Sequence, residues 1–329
     1  MTDSANFNHF AAIDVGSLTV RLAVAESLPE SRFRVLLHRR EITGLGQGLA
    51  ATGELAPEGM ARTLAALKDF QQVMASQQVG AYRAVGTQAL RQARNRQVFL
   101  DMVRNDLGLA VEVLTPEEEA RLALAGVLSA LDSQVLTAPA VLVFDVGGGS
   151  SEFALVRPGQ EPVFASLPLG VLTLSQARPL GDPPQPDKVA ALKKELATRL
   201  LVFYQERIEP NLQTAPRLVG TAGAVTTLAA MHLQLREYDA DKVNNLFLTR
   251  IQVAGLAELM CGLPEADRAR LVGIEPAKAG VMVAGALIVL AILDVCHQDS
   301  LVVIDAGLLE GVLQEMALKF WVSGFDKIG

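Results

Sequence analysis

The sequence predicts an α/β fold built twice over, and three observations carry that prediction. First, the apolar run Ala11-Ala12-Ile13 ends in Asp14-Val15-Gly16-Ser17, and Leu142-Val143-Phe144 leads in the same way into Asp145-Val146-Gly147-Gly148-Gly149-Ser150. Second, each half later carries a matching signature, Arg83-Ala84-Val85-Gly86-Thr87 and Arg217-Leu218-Val219-Gly220-Thr221. Third, these signatures come in the same order in both halves, as a duplicated domain requires. A boundary near residue 130 follows, giving domains 1–130 and 131–329, with Ser129 to Pro139 as the connection. The final helix is allowed to pack back on the first domain.

The elements follow from local pattern. After Gly16 the chain reads Leu18-Thr19-Val20-Arg21-Leu22-Ala23-Val24, and after Gly149 it reads Ser150-Ser151-Glu152-Phe153-Ala154-Leu155-Val156. Both alternate and are rich in β-branched or apolar residues, which predicts strands. Each glycine turn therefore joins two strands in a hairpin. A P-loop or dinucleotide-binding loop would instead run from strand into helix, and neither signature is present. Helices are expected at Glu58 to Ser76, Thr115 to Leu131, Asp187 to Arg207, Ala224 to Gln234 and Pro276 to Leu293. The helix at Thr115 has a capping-box start, with Thr115 as cap, Pro116 at the first position and Glu118 at the third. Pro179 to Pro186 is too proline-rich for either element and reads as a surface loop.

Composition excludes some functions. The chain has 329 residues, half of them apolar, enough for two cores. Its net charge of −7 argues against nucleic acid or an anionic membrane as partner, so an anionic ligand needs a focused site. Cys261 and Cys296 form no CxxC pair and no disulfide framework, which fits a reducing cytoplasm. The first ten residues carry an acid and no long apolar run, so no signal peptide is expected. The most apolar stretch, Ala279 to Leu293, is shorter than the ~18–20 residues of a membrane span and reads as a core helix.

The turns suit anion chemistry. A glycine turn between strands leaves backbone N–H groups directed at one anion, and glycine lets a phosphate approach closely. A helix opening after Gly220-Thr221-Ala222-Gly223 adds its positive end. An aspartate at each strand end, Asp14 and Asp145, can hold Mg²⁺. The alternative is a pair of tight hairpins with structural glycines and capping aspartates. In the acidic helix start, Glu118 is used by the cap. Glu119 is not, and a carboxylate beside a bound phosphate can deprotonate an attacking water.

The chain resembles the exopolyphosphatase/guanosine pentaphosphate phosphohydrolase family, within the actin, sugar kinase and heat-shock ATPase superfamily. The matching segments are IDVGSLTVRL at 13–22, GLGQGLAATGEL at 44–55, GTQALRQARN at 86–95, EEEARLALAGV at 117–127, FDVGGGSSEF at 144–153, SLPLGV at 166–171 and GTAGAVTTLA at 220–229. They lie in family order over nearly the whole chain. The length resembles the short, two-domain members. No histidine is followed by aspartate, so the helical module with an HD signature that longer members append is not expected.

That resemblance implies two duplicated actin-like (ribonuclease H-like) domains with an interdomain cleft. It implies Glu119 as general base and Asp14 and Asp145 as carboxylates near Mg²⁺ or another divalent cation. Gly16 and Ser17 match the first phosphate loop, and Gly147, Gly148, Gly149 and Ser150 the second. Gly220, Thr221 and Gly223 match the later phosphate turn. Arg91 matches the family arginine after the first Gly-Thr turn and Arg21 the one in the first hairpin. Glu152 matches an acid that is a further metal-ligand candidate. For Arg91 and Arg94 a solvated helix face is the competing reading.

Four motifs depart from the family pattern. Leu18 stands in the first loop where the family has asparagine, and Ala222 and Ala224 stand where hydroxyls are usual. Leu309 replaces arginine in the C-terminal motif, and Thr115-Pro116 replaces Ser-Gly before the glutamates. Each lost neutral hydrogen bond is worth ~0.5–1.5 kcal/mol and a charged one ~1.5–3 kcal/mol, enough to weaken binding or shift the substrate. The leading expectation is a Mg²⁺-dependent exopolyphosphatase acting on inorganic polyphosphate. Hydrolysis of guanosine pentaphosphate is the second, and a non-catalytic phosphate-ligand-binding regulator the third. A kinase is a fold-level fallback. A homodimer is left open.

Overall fold

A computed structural model describes residues 8–323 of the chain. Its architecture is set by the two Asp-Gly turns. The first joins β1 (His9–Val15) to β2 (Thr19–Ser27), and β3 (Phe33–Ile42) returns alongside β2. Both pairings are antiparallel, while β4 (Val79–Gly86) lies parallel to β1, and β5 (Val111–Val113) parallel to β4. The sheet order is β3-β2-β1-β4-β5.

The second half repeats this plan. The turn after Asp145 joins β6 (Val141–Val146) to β7 (Ser151–Val156), and β8 (Val163–Leu167) follows. On the other side of β6 run β9 (Arg217–Thr221) and β11 (Ser300–Val303), both parallel, with β10 (Leu246–Thr249) as an added antiparallel edge. Read from β8, the order β8-β7-β6-β9-β11 repeats that of the first sheet. The chain divides into one unit of residues 1–129 with 307–329, and a second of 130–306.

Alternation along the strands builds the cores. In the first unit Ala11, Ile13, Val20, Leu22 and Val24 face one buried cluster, and Phe10, Ala12, Ala23 and Ala25 face another. This is the period-two burial of a sheet covered on both faces. The second cluster also takes Leu122 from the helix Pro116–Ala130 and Leu308, Val312 and Leu313 from the helix Leu308–Ser323. Those two helices touch through glycines. A Cβ on Gly311 would lie 1.8 Å from the Leu122 carbonyl oxygen, and one on Gly126 only 1.9 Å from that of Gly307. Leu309, the departure from the family arginine, is 3% exposed in this cluster. Its side chain contributes packing.

In the second unit, the helix Met282–Val295 is buried from Met282 through Leu293. The sequence predicts one helix from Pro276 to Leu293, and the structure corrects this. Pro276–Lys278 is a separate 3₁₀ turn, and the α-helix opens after Val281. Gly280, a poor helix former, lies at the break, and a Cβ there would come within 3.1 Å of the Glu265 carboxylate. Among the described residues no helix is long and apolar enough to cross a membrane.

Candidate active site

The first turn is held from behind. The Gly16 N–H donates to the Thr19 carbonyl at 3.0 Å, closing the hairpin. The Ser17 carbonyl accepts from Gly46 N–H at 2.7 Å, and the Leu18 carbonyl accepts from Thr43 and Gly44 at 3.0 and 2.9 Å. With these carbonyls tied to the segment after β3, the N–H groups of Ser17 and Leu18 have no protein acceptor among the described residues. The Leu18 side chain is 62% exposed at the tip.

The second turn is held the same way by the segment after β8. Gly147 N–H donates to the Ser150 carbonyl at 3.0 Å. The Gly147 carbonyl accepts from Val171 at 2.9 Å, and the Gly148 carbonyl from Leu172 and Thr173 at 2.9 and 3.1 Å. Those donors open the helix Val171–Ala177. Gly170 presses on the turn so closely that a Cβ would meet Gly148 and Gly149 backbone at 2.4 Å. The N–H groups of Gly148, Gly149 and Ser150 are left without a protein acceptor among the described residues. Backbone donors grouped on one bend form an anion nest.

The carboxylates differ between the turns. Asp14 is 4% exposed, and its Oδ2 accepts from Arg21 Nη2 at 2.6 Å and Nε at 3.0 Å. Its Oδ1 is buried with no hydrogen-bond partner. Asp145 instead faces Glu152 directly across β6 and β7. Glu152 Oε1 accepts from the Ser150 hydroxyl and, at 3.3 Å, from that of Ser166. A Cβ on Gly147 would lie 3.9 Å from Glu152 Oε2 and 4.0 Å from Asp145 Oδ1, so both carboxylates border one small space.

Glu119 sits in the first turn of the helix Pro116–Ala130. The capping box forms as the sequence predicts: Thr115 N–H donates to Glu118 Oε2 at 2.8 Å, and Glu118 N–H to Thr115 Oγ1 at 3.2 Å. The hydrogen bonds from Thr115, with the charges of Arg121 and Arg83, hold the Glu118 carboxyl below the usual range. Glu119 is turned instead to Arg91, whose Nη1 donates to Glu119 Oε2 at 2.6 Å and to the Leu114 carbonyl at 3.0 Å. Glu119 Oε1 has no partner among the described residues. Arg94 lies apart, donating to the Thr52 carbonyl at 2.9 Å.

The later turn is more enclosed. Ala222 opens the helix Ala222–His232 in a left-handed conformation, φ 66°. Thr221 is 8% exposed, and its hydroxyl donates to the Ala306 carbonyl at 3.1 Å. Ala224 is buried, and a Cβ on Gly285 would lie 3.3 Å from its Cβ. Sequence reasoning missed Lys278, whose Nζ would lie 3.6 Å from a Cβ on Gly223, at the positive end of this helix. It pairs with Glu275 at 2.7 Å. No local signal marks this lysine, which ends the 3₁₀ turn Pro276–Lys278.

Two donor-lined turns, paired acids and a half-anchored glutamate point to phosphoryl chemistry, and comparison with known proteins decides the family. Residues 23–320 match the Ppx/GppA phosphatase family. The chain belongs to that family. It is a phosphoanhydride hydrolase of the Ppx/GppA type, with the two-domain actin-like fold. Exopolyphosphatase 2 of Mycobacterium tuberculosis is 34% identical over 93% of this chain and 98% of its own length. The crystal structure of the Aquifex aeolicus Ppx/GppA member superposes with a TM-score of 0.82 at 33% identity, covering 94% of this chain and 98% of that one. An exopolyphosphatase from Cytophaga hutchinsonii gives a TM-score of 0.77 at 25% identity, over 94% and 97%.

Proposed function

We propose that this Ppx/GppA member is an exopolyphosphatase that removes the terminal phosphate of inorganic polyphosphate with Mg²⁺ and a Glu119-activated water. The observation that carries the reading is the state of Glu119. One carboxylate oxygen is anchored by Arg91 and the other is open, as a general base must be. Arg91 positions it, because the same guanidinium nitrogen is also fixed to the Leu114 carbonyl.

The metal fits the second turn. Asp145 and Glu152 stand directly opposite on neighbouring strands, two carboxylates that one cation could join. The described residues contain no cluster of three or more metal-ligating side chains. Mg²⁺ suits such a site, since it commonly takes one or two carboxylates and completes its shell with water and substrate phosphate. When bound there it would neutralise charge on the phosphoryl group. Asp14 is a weaker candidate, because Arg21 already occupies one oxygen and only the buried Oδ1 remains.

The chain's own residues then perform the step. In each unit the turn's own N–H groups can hold phosphoryl oxygens, Ser17 and Leu18 in the first and Gly148, Gly149 and Ser150 in the second, where Lys278 and the start of the helix Ala222–His232 add positive charge. Glu119 Oε1 takes a proton from water as its oxygen attacks the terminal phosphorus. The bond to the bridging oxygen breaks, and the shortened polyphosphate leaves with that oxygen. Two free thiols, Cys261 and Cys296, support a reducing, cytoplasmic setting.

The test is phosphate release from polyphosphate, guanosine pentaphosphate and ATP, each with Mg²⁺. Glu119→Gln is expected to lower turnover by about 100-fold or more with an unchanged thermal melt. Equal turnover by both proteins would remove the general-base assignment. Faster release from guanosine pentaphosphate would move the substrate, and release from none would leave a binding protein.

A further inference from the structure

Register in the first sheet sets up a feature that the turns do not account for. Asp14 pairs with Arg21 across β1 and β2, and Arg21 pairs with Arg40 across β2 and β3. Residues directly opposite in antiparallel strands share a face, and the Asp14–Arg21 ion pair at 2.6 Å marks that face. Arg40 therefore projects beside Arg21, on a strand about 4.8 Å away. The Arg40 side chain is exposed and has no hydrogen-bond or ion-pair partner among the described residues.

Two arginines set opposite each other repel, and this occurs in a chain of net charge −7. Charge on an edge strand does discourage sheet-to-sheet aggregation. Arg34 and Arg39 on the same strand already serve that purpose, however, and neither sits opposite another cation: Arg34 faces Glu26 and Arg39 faces Leu22. His38 shares Arg40's face but is turned towards Glu310 at 3.9 Å. The row Thr19, Arg21 along β2 leads straight back to the first glycine turn.

We infer that Arg40, together with Arg21, forms a subsite for the inner phosphates of an extended polyphosphate whose end is held at the Gly16–Thr19 turn. The inference rests on the polyphosphate reading above. A linear polyanion carries charge on every unit, so it is matched by a row of cations and poorly by a single point. The row also predicts selectivity for chain length.

The experiment measures binding of long-chain polyphosphate and of pyrophosphate, which has no inner phosphate, by calorimetry with Mg²⁺. A Glu119→Gln background removes turnover. Arg40→Gln is expected to weaken long-chain binding about tenfold and pyrophosphate binding less than about twofold. Arg39→Gln, on the opposite face, is expected to leave both unchanged, and the Arg40 effect is expected to shrink as salt rises. Equal losses for the two ligands, equal effects of the two arginines, no effect of Arg40→Gln, or no polyphosphate binding at all would each overturn the subsite. Failure of the Glu119 protein to release phosphate from a polyphosphate it binds would sink the hydrolysis reading alone.

Discussion

The two hairpin turns share a backbone and differ in charge. In each, an aspartate stands one residue before the end of the first strand, a glycine N–H closes the bend, and a following segment ties down the carbonyls. The residue across from the aspartate is Arg21 in the first hairpin and Glu152 in the second. The first aspartate thereby faces a guanidinium across the sheet, while the second faces another carboxylate. One duplicated frame thus yields a turn suited to phosphate and a turn suited to a cation with phosphate. A single cross-strand position decides which.

The supports differ too, and this gives the largest expected effect. A Cβ at Gly170 would strike the backbone of the second turn at 2.4 Å, whereas one at Gly46 would meet the Ser17 side chain at 3.0 Å. A 2.4 Å contact forces the turn to shift, whereas 3.0 Å, with Ser17 backbone at 3.4 Å, asks for only a few tenths of an ångström. Gly170→Ala is expected to lower kcat/KM about 100-fold by displacing the turn, and Gly46→Ala about tenfold or less. Steady-state kinetics on both variants checks this, and equal losses would mean the two supports are equivalent.

The charge difference predicts a split in metal dependence. Glu152→Gln is expected to raise the Mg²⁺ concentration for half-maximal rate roughly tenfold. Arg21→Gln is expected to raise KM for polyphosphate and leave the Mg²⁺ requirement unchanged. A Mg²⁺ titration of both variants tests the assignment, and a shift in Arg21→Gln would restore Asp14 as an equal ligand.

The smallest effect concerns the helix that carries Glu119. Glu315 accepts from Arg83 and Arg121 at 2.6 Å each. Burial works against its charge, but the two guanidiniums outweigh burial and hold its carboxyl below the ordinary value of 4.5. A depressed carboxylate contributes stability that is complete above the unfolded value and is lost as pH falls through the folded one. Glu315→Gln should therefore cost about 1 kcal/mol at pH 7 and progressively less below pH 4.5, as followed by denaturant melts.

Much of the fold was legible because its signals are local. Alternation in Leu18 to Val24, glycines after Asp14 and Asp145, and the Thr115–Glu118 capping box each act within a few residues, and each is found in place. The same locality misread Pro276 to Leu293, where apolar composition masked the break at Gly280. Glu119 stood out by elimination from the cap. Its anchor on Arg91 was not legible from spacing, since spacing alone does not say what a helix arginine touches.

The sequence by itself determined the duplicated strand-turn-strand order, the core helices and the acidic helix start, because backbone preference and hydrophobic period are properties of neighbouring residues. Only tertiary structure decided which charge faces each aspartate, that Gly170 braces a turn in the same half, that Lys278 reaches Gly223, and that Arg40 lies beside Arg21. Those are properties of register and close packing, where residues far apart in the chain must occupy adjoining space.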